Sequence, residues 1–181
     1  MANSYNLKEF QETLAQRLRE AATDPAPDSR LAVQAGAQHW LLRLDEVGEV
    51  LPLGALADGI VPVPLSQPWY AGVANVRGNL VGVVDWAQFL GGPPTPASPG
   101  ARLVLVAERF QFLGALLVDR LIGLRNRDRF TEAAAEGAAA ATGAAGSRWQ
   151  AGDLRDREGG LWHELDMAAL LADERFLAAG R

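Results

Sequence analysis

The 181-residue chain contains no cysteine and only two histidines, His39 and His163. The first absence excludes disulfides, thiolate zinc sites, iron–sulfur clusters and cysteine nucleophiles together, and the second leaves too few imidazoles for a histidine metal cage. No cofactor is therefore expected. Lysine is nearly absent too: Lys8 stands alone among seventeen basic residues, which face twenty-two acidic ones for a net charge of −5. That balance opposes non-specific attraction to phosphate backbones or anionic lipid, so nucleic acid is not an expected partner. The dominance of arginine, with abundant alanine, reads as compositional bias before any arginine is given a role. Long apolar runs are also missing. Residues 1–20 carry Lys8, Glu9, Glu12, Arg17 and Arg19 where a signal peptide needs an unbroken apolar stretch. The charge-free stretch Gly59 to Val76 contains Pro62, Pro64 and Pro68, which a membrane helix would not tolerate. A cytoplasmic protein without direct membrane insertion is expected. With 49% hydrophobic residues, a chain of this size buries about 70% of its unfolded surface and should own a substantial core.

What is present is organised in segments. Leu7, Phe10, Leu14 and Leu18 recur at three- and four-residue steps behind Asn3 or Ser4, which predicts an amphipathic helix within residues 1–24. A tether at 25–30 containing Pro25 and Pro27 follows, so this helix is a peripheral element that packs back on the body or is offered to a partner. From Leu31 to Asp85, short apolar runs are punctuated by Gly, Pro, Asn and Asp, the spacing of an all-β barrel or sandwich. Gly78-Asn79 between Val73–Val76 and Leu80–Val84 predicts a tight hairpin with Arg77 beside its turn. Pro93, Pro94, Pro96 and Pro99 make 91–100 a surface connection. Beyond it, Arg102–Ala107 and Phe112–Val118 read as a second hairpin closed by residues 108–111. Thr131 to Ser147, mostly Ala and Gly, has little to bury and predicts a loop or weak helix. The stripe of Met167, Leu170, Leu171 and Leu177 behind Asp166 predicts a closing helix at about 166–177.

Chemistry is sparse in this pattern. Asp85, Asp119 and Asp166 each follow an apolar run, where an active carboxylate or an ordinary cap can stand. None has a His, a Ser elbow or a second carboxylate at a fixed spacing. Two readings of other classes remain open at this level: a small hydrolase using Asp85 or Asp119, and a small-molecule-binding barrel lined by Trp40, Trp69 or Trp162. No phosphate loop is present, since Gly72–Gly78 lacks the Gly-Lys-Ser/Thr ending. The arginines between Arg120 and Arg129 alternate as one solvated strand face would. Glu49 and Arg77 are left as a carboxylate and a guanidinium that could pair across a barrel.

The run Trp69-Tyr70-Ala71-Gly72-Val73-Ala74-Asn75-Val76-Arg77-Gly78-Asn79-Leu80-Val81-Gly82-Val83-Val84-Asp85 resembles the signature of CheW-like chemotaxis coupling proteins, with its Gly, its Asn-x-Arg-Gly turn and its Val-x-Asp. Glu46–Leu51, Ile60-Val61-Pro62, Gly114–Leu121 with its Val118-Asp119, and Leu161–Asp166 resemble the flanking segments. The Trp69 to Gly78 wording and the helical extension look most like the PilI type, which serves type IV pili and twitching motility. The resemblance implies a mainly β fold of two SH3-like barrel lobes, the first at about 33–92 and the second at about 101–166, with strand exchange between the lobes left open, within a domain spanning 31–181. It implies a non-enzymatic adaptor that joins the cytoplasmic tip of methyl-accepting chemoreceptors to the regulatory domain of a CheA-type histidine kinase in membrane-associated arrays. A flagellar chemotaxis adaptor is the alternative within the family. Receptor and kinase contacts would fall on Val47, Glu49, Gly72, Asn75, Arg77 and Gly78, with Asp85, Gly114, Val118, Asp119 and Asp166 as structural motif positions.

Overall fold

The computed structural model describes residues 28–133 and 148–180. The expected N-terminal helix and half of its tether, 25–27, lie outside the described residues. Among the described residues, twelve strands form two six-stranded sheets. Sheet one joins β1 (Ser29–Ala35), β2 (Gln38–Arg43), β9 (Arg120–Asn126), β10 (Thr131–Glu132), β11 (Gln150–Arg155) and β12 (Leu161–Leu165) in the order β10-β11-β12-β2-β1-β9. Sheet two joins β3 (Val47–Pro52), β4 (Ile60–Val61), β5 (Tyr70–Val76), β6 (Asn79–Asp85), β7 (Arg102–Val106) and β8 (Gly114–Val118) in the order β3-β7-β8-β6-β5-β4.

This arrangement differs from two lobes laid out in chain order. Sheet one takes its strands from both ends of the described chain, and sheet two takes the middle. The crossing points are local. After β2, a single 3-10 turn at Leu44–Glu46 carries the chain into sheet two. After β8, Asp119 donates its N–H to Gln34 O (2.9 Å), and β9 returns to pair with β1. The apolar wording that resumes at Leu121 straight after Asp119-Arg120 conceals this switch of sheets, because strand pairing is decided by burial across the chain and not by the run itself.

Alternation distributes the core into three clusters. On β1 and β2, Leu31, Val33, Trp40 and Leu42 face the other sheet, whereas Ala32 and Leu41 point to the inner side of sheet one with Leu154, Trp162 and Phe130. On β8, Leu116 and Val118 enter the central cluster while Ala115 and Leu117 join Val81, Val83 and Leu103 inside sheet two. Each sheet therefore curls around its own apolar filling, and the two share a third cluster between them. Aromatic rings dominate that shared cluster: Trp40 and Trp149 each lie 5.2 Å from Trp86, and Phe89 packs 5.2 Å from Trp69 and 5.5 Å from Phe176. Trp40 and Trp69 are thus core residues and not the wall of a binding cavity. Trp162 is packed between His39 and Phe130.

Helix is confined, among the described residues, to short pieces: α1 (Trp86–Phe89), α2 (Met167–Leu171) and α3 (Glu174–Leu177), besides four 3-10 turns. No described helix is long and apolar enough to cross a membrane. The single closing helix expected at 166–177 is broken at Ala172-Asp173, because the Asp173 side chain accepts from Phe176 N–H (3.0 Å) and starts a new turn that delivers Phe176 to the aromatic cluster. Thr131-Glu132, expected in a loop or weak helix, pairs with Leu154-Arg155 as β10, and 134–147 lie outside the described residues.

Candidate functional site

The β5–β6 hairpin builds one half of the site. Val76 pairs with Asn79, so the two-residue turn is Arg77-Gly78 and not Gly78-Asn79. Both turn residues have positive φ, 53° and 88°, the type I′ geometry whose twist matches that of the flanking strands. Arg77 adopts a backbone conformation that costs a residue with a Cβ about 1–2 kcal/mol. The Asn75 side chain offsets part of this by accepting from Gly78 N–H at 2.9 Å, which holds the turn closed. Arg77 is consequently thrust from the tip of the hairpin with its side chain 75% exposed.

The other half comes from β3. Val47 pairs with Val106 and Val50 with Val104, so Gly48 and Glu49 together face Leu105 in a β-bulge. The bulge turns Glu49 toward the hairpin tip, where Arg77 Nη2 donates to Glu49 Oε1 at 2.6 Å. Residues 28 positions apart in the chain are thereby joined across sheet two. An exposed pair of this kind contributes at most about 1 kcal/mol to stability. Its effect is geometric, since it fixes two backbone segments over a groove of about 410 Å³ lined by Val76, Val81, Leu105, Val106, Phe112 and Leu113.

Not every expected contact residue gathers here. Glu49, Asn75, Arg77 and Gly78 converge at the tip. Val47 is half-buried against the central cluster and reaches the groove through its pairing partner Val106. Gly72 lies five residues down β5, and its role is spatial: with φ 134°, a Cβ there would stand 2.1 Å from Val61 O, so glycine lets β4 lie against β5. The motif positions are internal braces. Asp85 caps α1 by accepting from Gln88 N–H (3.2 Å) and also accepts from Thr95 N–H (2.7 Å) and Thr95 Oγ1 (2.9 Å), which anchors the Pro-rich connection. Asp119 accepts from Gly36 N–H (2.6 Å) and steadies the β1–β2 turn, and Asp166 caps α2 through Ala169 N–H (2.9 Å). Val118 is buried in the central cluster, and at Gly114 a Cβ would meet Phe112 Cε1 at 2.2 Å. Asp85 and Asp119, either of which the hydrolase reading would use, are both engaged with backbone amides.

A second charged group escaped the sequence reading. Asp45 accepts from Arg43 Nε (3.2 Å) and Arg109 Nη1 (2.7 Å), and beside it the Glu46 carboxylate is only 5% exposed. Glu46 Oε2 accepts from Met167 N–H at 3.3 Å, tying the β2–β3 connection to the start of α2. Burial raises the Glu46 carboxyl above its ordinary value, against the opposing pull of the Met167 amide and Arg43. The only signal in the sequence is Arg43 three residues before Glu46, which is also how a solvated turn reads.

Comparison with known proteins finds a family model, described as the CheW-like domain, that matches residues 30–175. The protein PilI of Pseudomonas aeruginosa is 33% identical over 106 residues, which cover 58% of this chain. The match spans 57% of that relative's own length. Among solved structures, the scaffolding protein TtCheW from Thermoanaerobacter tengcongensis superposes with a TM-score of 0.61 over 78% of this chain and 90% of its own, at 15% identity, a likeness of fold.

Proposed function

The chain belongs to the CheW-like domain family, whose members are non-enzymatic coupling scaffolds, and from that premise we propose that it joins the cytoplasmic tip of a methyl-accepting receptor to the regulatory domain of a CheA-type histidine kinase. In this reading Glu49, Asn75, Arg77 and Gly78 form the contact point, with the neighbouring groove receiving an apolar side chain of the partner. The observation that carries it is the Glu49–Arg77 pair, held at an exposed tip at the cost of a left-handed arginine, beside a groove that offers apolar side chains together with Asn79, Glu108 and Gln111. A residue kept in that backbone state with three quarters of its side chain in water has little to do for stability and much to offer a partner. Val47 supports the groove from behind, whereas Gly72 serves the close packing of β4 on β5, away from the groove. The likeness to PilI favours an array that governs type IV pili and twitching over a flagellar one.

The test is binding in solution. Full-length protein is titrated with the regulatory domain of a CheA-type kinase from a type IV pilus system and, separately, with a receptor signalling-tip fragment. Saturable binding to both, weakened at least fivefold by Arg77→Ala in one of the two titrations, is the expected result. Wild-type protein that binds neither partner overturns the coupling function. Arg77→Ala binding both partners like wild type removes the tip from the proposed contact. Tighter binding to a flagellar kinase than to the pilus kinase overturns the pathway assignment.

A further inference from the structure

Sheet one ends in β9, whose only strand neighbour among the described residues is β1. The register sets Leu31 opposite Leu124 and Val33 opposite Leu121, and directly opposed residues point to the same face of a sheet. Leu31 and Val33 belong to the central cluster between the sheets. Leu121 and Leu124 therefore prolong the face that sheet one turns toward sheet two, yet they remain 39% and 58% exposed. Ile122, between them, points the other way and packs against the inner cluster of sheet one. The central core thus has an uncovered apolar rim on an edge strand, and proteins ordinarily cover both features.

The start of the described chain lies beside that rim. Ser29 pairs with Asn126, and Arg127 N–H donates to Asp28 O at 3.0 Å. Whatever precedes residue 28 leaves from the Asn126 end of β9, two residues from Leu124. Upstream stand Leu7, Phe10, Leu14 and Leu18 at helical spacing, then a connection containing Pro25 and Pro27. Asp28 lies ten positions beyond Leu18, a span of up to about 33 Å when extended, whereas the five steps from Leu121 to Asn126 cover about 17 Å of strand. Reach is ample. A tether this short also holds the stripe at millimolar effective concentration, which favours the chain's own rim over that of another copy.

We propose that the N-terminal stripe of Leu7, Phe10, Leu14 and Leu18 packs in cis on the Leu121–Leu124 strip of β9 and closes the rim of the central core. As a helix, the stripe is about 17 Å long, comparable to the strand it would lie along, and it supplies the apolar side chains that β9 lacks on its open side.

Because the chain contains no cysteine, pairs of introduced cysteines report proximity without background. Leu14→Cys or Leu18→Cys is combined with Leu121→Cys or Leu124→Cys in the full-length protein and oxidised mildly. At least one pair is expected to close an intramolecular disulfide ten or more times faster than Leu14→Cys combined with Leu65→Cys, a residue 82% exposed in the β4–β5 connection. Rates equal to that control overturn the proposal, and so does a product dominated by disulfide-linked dimers, which would place a second copy on the strip. Hydrogen exchange gives an answer independent of the cysteine variants. Deleting residues 1–20 is expected to accelerate exchange of the amides of β9 severalfold while leaving β7 unchanged, and identical β9 exchange in the two proteins overturns the proposal.

Discussion

Arg77 combines an unfavourable backbone state with a useful side chain, and substitution separates the two. Arg77→Gly relieves the left-handed strain and deletes the guanidinium; Arg77→Ala keeps the strain and deletes the same group. The glycine variant is expected to melt a few degrees above the alanine variant, since about 1 kcal/mol moves the midpoint of a domain this size by roughly 2–4 °C, while both lose partner binding alike. Calorimetry with parallel titrations checks this, and binding that follows stability would remove Arg77 from the contact. The two glycines of the motif divide similarly. Gly72→Ala meets Val61 O and is expected to cost about 3 kcal/mol or more, whereas Gly78→Ala has open space around it and is expected to cost only the strain of its φ, about 1 kcal/mol. Denaturant midpoints distinguish them. Glu46 carries the pH dependence. Its carboxyl is raised in the folded protein, chiefly by burial, so the folded state holds more protons than the unfolded state in the window above the ordinary value of 4.5. The contribution of Glu46 to stability is accordingly greatest at acid pH and declines as pH rises through the raised value. Relative to Glu46→Gln, wild type should gain stability as the pH falls from neutrality toward 4.5, and a pH-independent difference between the two proteins would contradict the assignment.

The short helices are each started by an aspartate cap, and α1 and α3 are also anchored by buried aromatics. In α3 the cap is Asp173 and the anchor is Phe176, which sits among Trp69, Phe89 and Phe112. Asp173→Ala is expected to lower stability by about 1 kcal/mol, and Phe176→Ala by about 3–5 kcal/mol through the cavity it leaves. Thermal unfolding of the two variants checks the order. The hairpin of the candidate site behaves differently, because its tip is held by Asn75 and Glu49, both outside the core. Losing either should release the tip without unfolding β5 or β6, so dispersion in NMR spectra of Asn75→Ala is expected to change only near residues 75–79 and 49.

Both sheets draw on strands that are far apart in the chain. β1 and β2 need β9 and β12, and β6 needs β8 across the Pro-rich connection. A cut at that connection therefore divides each sheet. Residues 28–100 and 101–180 expressed apart are expected to lack the dispersed spectra of folded protein, since each fragment loses the partner strands that bury its apolar faces, and a single cooperative transition is expected for the whole chain. A folded isolated fragment would show that the sheets are not interdependent. This arrangement suits a scaffold: the shared aromatic cluster packs two curled sheets into one body, so that a partner held, as proposed, at the Glu49–Arg77 tip would have a fixed position relative to anything held elsewhere.

Features that depend on neighbours in the chain were legible from residue order. The short apolar runs of β5 to β8, the hairpin closed at 108–111 and the caps at Asp85 and Asp166 each rest on interactions within about ten residues, where propensity and capping act directly, while the wording around Asn75-Val76-Arg77-Gly78 was legible as a family resemblance. Charge and strand placement left the pairing of Glu49 with Arg77 open as a possibility that the structure realises, and the turn fell one residue earlier than expected because the Asn75 bond to Gly78 selects Arg77-Gly78 as its centre. Which strands share a sheet was not readable. β1 meets β9 and β2 meets β12 across most of the chain because that assembly buries Trp40, Trp86 and Trp149 together, a sum over long-range contacts with no local signature. Glu46 illustrates the same boundary in one residue. Beside Asp45 it reads as solvated, and it becomes a buried carboxylate only because α2, 121 positions away, folds its Met167 amide over it.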